Sequence, residues 1–202
     1  MDRKCLLFPC LATLTALVAA PLTNARAMEM AAHGPVISLS GPIKPQDAPN
    51  FRAFFEPIKG SVRVVDLNST GGDINAAVDI GRLVRANHLT TEIDASRSIC
   101  SSACTVIFAS GSDRRYVNGE HIREGIGGFG GHGLGYHEGN NKVLPGADHF
   151  SGQASANMIS AYYEFGVGSA ADLITKSGPR SLYFISSPTA MKLGIATSMA
   201  RP

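Results

Sequence analysis

One run of ten residues constrains this chain more than any other: Val64-Val65-Asp66-Leu67-Asn68-Ser69-Thr70-Gly71-Gly72-Asp73. From Val62 to Leu67 the chain is too apolar for a strand with either face in water. Asn68 to Gly72 turns it. Asp73 then caps a helix that carries Ile74, Ala77, Val78, Gly81 and Val84 at helical spacing. A buried strand that runs through a glycine turn straight into a helix is half of a βα crossover, and the neighbouring sequence supplies the rest. Upstream, Val36 to Ser40 alternates as a strand and stops at Gly41-Pro42. Residues 46 to 58 follow as an amphipathic helix with Phe51, Phe54, Phe55 and Ile58 on one side. Downstream, Leu89 to Ile93 is a strand, Ser102 to Ser110 a helix and Arg114 to Val117 a strand. The expected fold is α/β, built from βα units around a largely parallel sheet.

From Asn118 to about Gly146 the pattern dissolves into a glycine-rich stretch broken only by Leu134 to His137. A loop of that length inside a domain is functional or disordered, so both a lid and a floppy insertion are open readings. Residues 152 to 165 and 169 to 176 return to helix. Pro179 to Thr197 closes the chain with a short strand and a helix around Ala190 to Leu193.

The first 27 of the 202 residues stand apart. Arg3 and Lys4 form a positive start, Leu6 to Leu22 an apolar run, and Ala25-Arg26-Ala27 a small-x-small cleavage site. This is the layout of a secretory signal peptide, with Met28 as the first mature residue and a single domain over 28–202. An uncleaved anchor is the rival reading, weakened by Pro9 and Pro21 within the run. The expected location is periplasmic or secreted, with no stable membrane insertion once the leader is cleaved. Of 18 basic and 16 acidic residues, the leader carries Arg3, Lys4 and Arg26 against Asp2, leaving 15 of each. A balanced mature chain without a basic run argues against a nucleic-acid partner.

Cys5 and Cys10 belong to the leader, so Cys100 and Cys104 remain. A lone pair in an oxidising compartment reads first as a disulfide, with two buried thiols as the alternative. Residues four apart on a helical face come within bridging range if the backbone bends to suit. A metal site needs more ligands than this pair supplies. Ser102 lies between them at the entrance to an apolar helix. A serine on a tight turn presents its hydroxyl, while a glycine pair at a helix N-terminus aims N–H groups at developing negative charge. Together they suggest a nucleophile and an oxyanion hole.

Leu67-Asn68-Ser69-Thr70-Gly71-Gly72, with Gly81 further along the helix, resembles the signature of Clp protease proteolytic subunits in the ClpP/crotonase superfamily. Ser102 and Gly111 match the nine-residue spacing of that family's serine and following glycine. Gly152-Gln153-Ala154-Ser155 resembles the start of its handle helix. Ser187-Pro188-Thr189-Ala190 and Leu193-Gly194-Ile195 resemble its closing segment. The likeness runs from Val36 to Thr197 with the motifs in order. The flanking cysteines and the leader look more like exported ClpP-like bacterial proteins than the cytoplasmic protease.

The resemblance implies Ser102 as nucleophile and the N–H groups of Gly72 and Ala103 as oxyanion donors. It also implies a histidine base, because a hydroxyl attacks well only when its proton is taken. His137, closing Leu134-Gly135-Tyr136-His137, fits best; His132 and His149 are rivals. The orienting aspartate has no counterpart at its expected place, where Ser177-Gly178 stands. Asp172 is a weak candidate for the acid, and Asp148 is another. The implied activity is that of a serine hydrolase, a peptidase or other acyl hydrolase, needing no cofactor, and the expected export implies that it acts without an ATPase partner. A weakened or inactive binding and assembly module is the alternative, and crotonase-type coenzyme A chemistry a third reading. The stretch Gln153 to Phe165, with Met158, Ile159, Tyr162 and Tyr163, carries apolar surface for either a homo-oligomer contact or the core.

Overall fold

The computed structural model describes residues 27–128, 131–139, 152–178 and 180–201. Along the chain come strands β1 (Glu29–His33) and β2 (Val36–Ser40), helix α1 (Asp47–Phe55), strand β3 (Val64–Asn68), helix α2 (Ile74–Ala86) and strand β4 (Thr90–Asp94). Strand β5 (Ile99–Ser101), helix α3 (Ala103–Ser110) and strands β6 (Arg114–Val117), β7 (Gly125–Gly127) and β8 (Gly133–Tyr136) follow. Helices α4 (Gly152–Glu164) and α5 (Ala171–Ile174), strand β9 (Leu182–Ile185) and helix α6 (Ser187–Lys192) complete the order.

The expected α/β class holds, with two sheets rather than one. The larger has the order β1-β2-β3-β4-β6. β2, β3, β4 and β6 are parallel, as βα crossovers require, and β1 joins the edge as an antiparallel hairpin arm. The smaller sheet has the order β5-β8-β9-β7, with β5 and β8 parallel and the other pairs antiparallel. The glycine-rich stretch therefore contributes β7 and β8 to a sheet in its described part. Its residues 129–130 and 140–146 lie outside the described residues.

The apolar periodicities become one core. β2 and β3 bury Ile37, Leu39, Val65 and Leu67, while α2 turns Ala76, Ala77, Ile80 and Val84 inward. α3 is buried along its whole length, which its all-round apolar sequence demands. Met158 and Tyr162 of α4 also belong to the core, whereas Tyr163 is exposed. Where the two sheets meet, Tyr116 of β6 reaches between β8 and β9. Its hydroxyl donates to Ile185 O at 2.8 Å and accepts from Leu134 N–H at 3.2 Å. Burial pushes this phenol far above its ordinary pKa, so it stays neutral and able to donate. Among the described residues, no helix is long and apolar enough to cross a membrane.

Candidate active site

Two corners of the backbone converge on one point. The end of β3 is zipped to β5: Ser69 N–H donates to Ile99 O at 2.7 Å and Ser101 N–H to Ser69 O at 3.0 Å. Ser101 Oγ adds a bond to Thr70 O at 3.1 Å. The glycine turn is thereby pressed against Ser102. A side chain at Gly71 would place its Cβ 2.5 Å from Ser101 O and 2.7 Å from Ser102 Cβ, so only hydrogen fits. Gly72, at φ +146°, lies against a third segment, because a Cβ there would fall 2.1 Å from Ile43 O.

That third segment orients the turn. Ile43 N–H donates to Gly71 O at 2.9 Å, and Asp73 N–H donates to Ile43 O at 3.0 Å. This parallel pairing uses the groups on either side of Gly72 and leaves the Gly72 N–H facing the other way. Asp73 does cap α2 as its sequence suggests, accepting from Ala76 N–H at 2.8 Å. Its charge is thus directed at the helix N-terminus.

Ser102 itself is held at φ 54°, ψ −129°, a conformation that disfavours any side chain. A serine at a helix N-cap ordinarily spends its hydroxyl on the helix, yet here it makes no such bond. Instead Thr105 donates to the Ser102 carbonyl from both its N–H, at 2.9 Å, and its Oγ1, at 2.6 Å. The hydroxyl is left for the adjoining cavity. Within the described residues, neither the Ala103 N–H, at the first position of α3, nor the Gly72 N–H donates to a protein acceptor.

Cys100 and Cys104 form a disulfide with Cα atoms 5.2 Å apart, as the first reading of the lone pair expected. It bridges the strand before Ser102 to the helix after it, and both sulfurs are wholly buried among core side chains. The elbow is tied on both sides.

His137 arrives by strand register. β5 and β8 pair in parallel, with Ser101 opposite Gly135. The next step is a bond from Ser102 N–H to Gly135 O at 3.1 Å. Ser102 and His137 therefore leave the same ends of neighbouring strands. Both line a cavity of about 890 Å³ together with Gly72, Ala103, Ile43 and Met158. Burial lowers the His137 pKa below the ordinary imidazole value, against a smaller opposing contribution from the Glu138 backbone. The ring is neutral near pH 7, the form that accepts a proton.

His132 is exposed and lines a different hollow, beside β7 and Phe184. His149 and Asp148 lie outside the described residues. Asp172 is exposed on α5 and does not line the Ser102 cavity. The place counted for the aspartate is where the chain returns toward β9, beside the strand that carries His137. There Ser177 Oγ reaches both Tyr136 O, at 3.1 Å, and Ser181 O, at 3.0 Å. A hydrogen-bond donor stands where an acceptor was sought.

Sequence reasoning did not find the segment 42–45 as a wall of the cavity, nor the Asn75 and Asn157 amides at its edge, joined at 3.2 Å. Gly41-Pro42, read only as the end of a strand, was the available signal for the first. Among the described residues, no group of three or more histidines, cysteines or carboxylates is placed to hold a metal ion.

Parallel strands, crossover helices and a serine elbow facing a glycine turn define a ClpP-like fold, and solved structures agree. The ClpP protease catalytic domain from Plasmodium falciparum superposes with a TM-score of 0.57 at 15% identity, over 83% of this chain and 86% of that one. A mutant of 1510-N, a membrane-bound stomatin-specific protease, superposes with a TM-score of 0.54 at 16% identity, over 82% and 78%. No family model matches the chain, and no curated protein matches it significantly.

Proposed function

We propose that this chain is an exported ClpP-like serine hydrolase of bacterial type that cleaves peptides without an ATPase partner. One observation carries the reading: Ser102 and His137 leave adjacent parallel strands and line one cavity with Gly72 and Ala103, whose N–H groups donate to no acceptor among the described residues. In the proposed reaction Ser102 Oγ attacks the peptide carbonyl carbon as His137 takes its proton. The carbonyl oxygen becomes an oxyanion between the two N–H groups, which are fixed beforehand by the Ile43 pairing and by the start of α3. His137 then protonates the departing amine, and a water, activated by the same ring, releases the acyl group from Ser102.

Substrates on this reading are short or unfolded peptides, since no unfoldase feeds the site. The two disulfide-forming cysteines and the leader-like start support a periplasmic or secreted location. The exposed Tyr163 on α4 leaves room for assembly into a homo-oligomer. Ser177 in place of the acid favours the second reading, a catalytically weakened module that binds without turning over. Labelling by a fluorophosphonate probe tests both. The hydrolase reading expects labelling of the wild type and none of Ser102→Ala; a wild type inert to several such probes overturns it.

A further inference from the structure

We propose that cleavage of the leader creates an α-ammonium at Met28 and that a buried site for it already exists on the Asp47 carboxylate. The proposal rests on reading Ala25-Arg26-Ala27 as a cleavage site and is independent of the hydrolase chemistry. Asp47 opens α1 and is 0% exposed. Its Oδ2 accepts from Lys44 N–H at 2.6 Å and from the Met28 N–H at 3.3 Å. Its Oδ1 is buried and takes no hydrogen bond, and no ion pair to it occurs among the described residues. Met28 itself is buried at 5% exposure, while Ala27 is exposed.

A carboxylate withdrawn from water with one oxygen unsatisfied and no cation beside it is costly. The group pointed at it is the one backbone nitrogen whose charge changes on processing. A signal peptidase adds one water across the Ala27–Met28 bond. The water's oxygen ends in the Ala27 carboxylate, and both its hydrogens end on the Met28 nitrogen, which becomes an ammonium. One neutral donor is replaced by three donors and a positive charge, enough to satisfy both carboxylate oxygens. Because Met28 is buried, cleavage precedes folding and the new terminus docks as the chain closes. The carboxylate also holds Lys44 N–H, next to the Ile43 that pairs with the Gly71-Gly72 turn. The charge therefore anchors the segment that aims the Gly72 N–H.

The test begins with the full chain exported by a bacterial host. Mass spectrometry of the purified product is expected to show Met28 as its first residue; any other start overturns the proposal. Four versions are then compared by urea unfolding: chains starting at Met28 or one residue earlier at Ala27, each with Asp47 or with Asp47→Asn. The extra alanine is expected to raise the unfolding equilibrium constant at least tenfold in the Asp47 pair and less than twofold in the Asn pair. An equal effect in both pairs overturns the ion pair. Should Asp47→Asn fail to fold, α-amine titration of the two Asp47 chains decides. The Met28 amine is expected to titrate at least one pH unit above the Ala27 amine, and equal values overturn the proposal.

Discussion

Ser102 donates its backbone N–H to the carbonyl of Gly135, two residues before His137, at 3.1 Å. One main-chain bond thus fixes the offset between the elbow and the strand that delivers the imidazole. The side chains inherit their relation from a sheet, which positions groups more rigidly than a loop does.

Ser102→Gly should separate stability from chemistry. At φ 54°, ψ −129° a serine carries backbone strain that glycine does not, on the order of 1–3 kcal/mol. Urea unfolding should show the glycine variant more stable than wild type by about 1 kcal/mol, while fluorophosphonate labelling disappears. A variant less stable than wild type would show that the elbow is unstrained.

Gly72→Ala should fail for a backbone reason. Its Cβ would stand 2.1 Å from Ile43 O, an atom held by the Asp73 N–H and unable to retreat without opening the turn. The expected loss is about 2 kcal/mol or more, read by thermal or urea unfolding, with labelling lost as well. Wild-type stability in this variant would contradict the packing of the 42–45 segment on the turn.

The acid limb of the labelling rate should report His137. Burial lowers its pKa in the folded protein, so the unfolded chain binds the proton more readily. The neutral base, and the stability tied to it, are both fully present above the unfolded value of about 6.5 and are lost as pH falls. The inactivation rate should therefore stay on its plateau at pH 7 and drop with an apparent pKa below about 6.5. A midpoint above that value would remove the buried imidazole from the role of base.

Ser177→Asp should not restore a triad. The serine hydroxyl meets two carbonyl oxygens, Tyr136 O and Ser181 O. A carboxylate there would be acceptor against acceptor, costing about 1–3 kcal/mol as the two carbonyls lose their donor. The variant should melt lower and label no faster than wild type. Labelling ten times faster would mean that the loop can turn an acid toward His137.

How much the sequence disclosed depended on whether a feature was local. The β3 strand, the glycine turn and the Asp73 cap are written in consecutive residues and all three form, although β3 buries only Val65 and Leu67 and leaves its other face half-exposed, not both faces buried as its apolar run suggested. Ser102 and Cys100–Cys104 were legible for the same reason. The second sheet was not, because β5 has three residues and β7 is Gly-Ile-Gly, neither with the length or side chains that mark a strand alone. They are strands because their partners complete their hydrogen bonds. β1 is mostly exposed and shows no alternation, so its pairing with β2 left no trace in the hydrophobic pattern. That Ser177-Gly178 stands where the resemblance expects an aspartate could be counted along the chain. That the Ser177 hydroxyl faces two carbonyl oxygens is a property of tertiary approach alone.

The Cys100–Cys104 bridge has a consequence for how the protein must be made. Both sulfurs are sealed inside the core, so neither oxidant nor reductant reaches them once the chain has closed. The covalent link must form while the polypeptide is still open. A chain matured under reducing conditions would shut two thiols into its interior, and an oxidant added afterwards would arrive too late to join them.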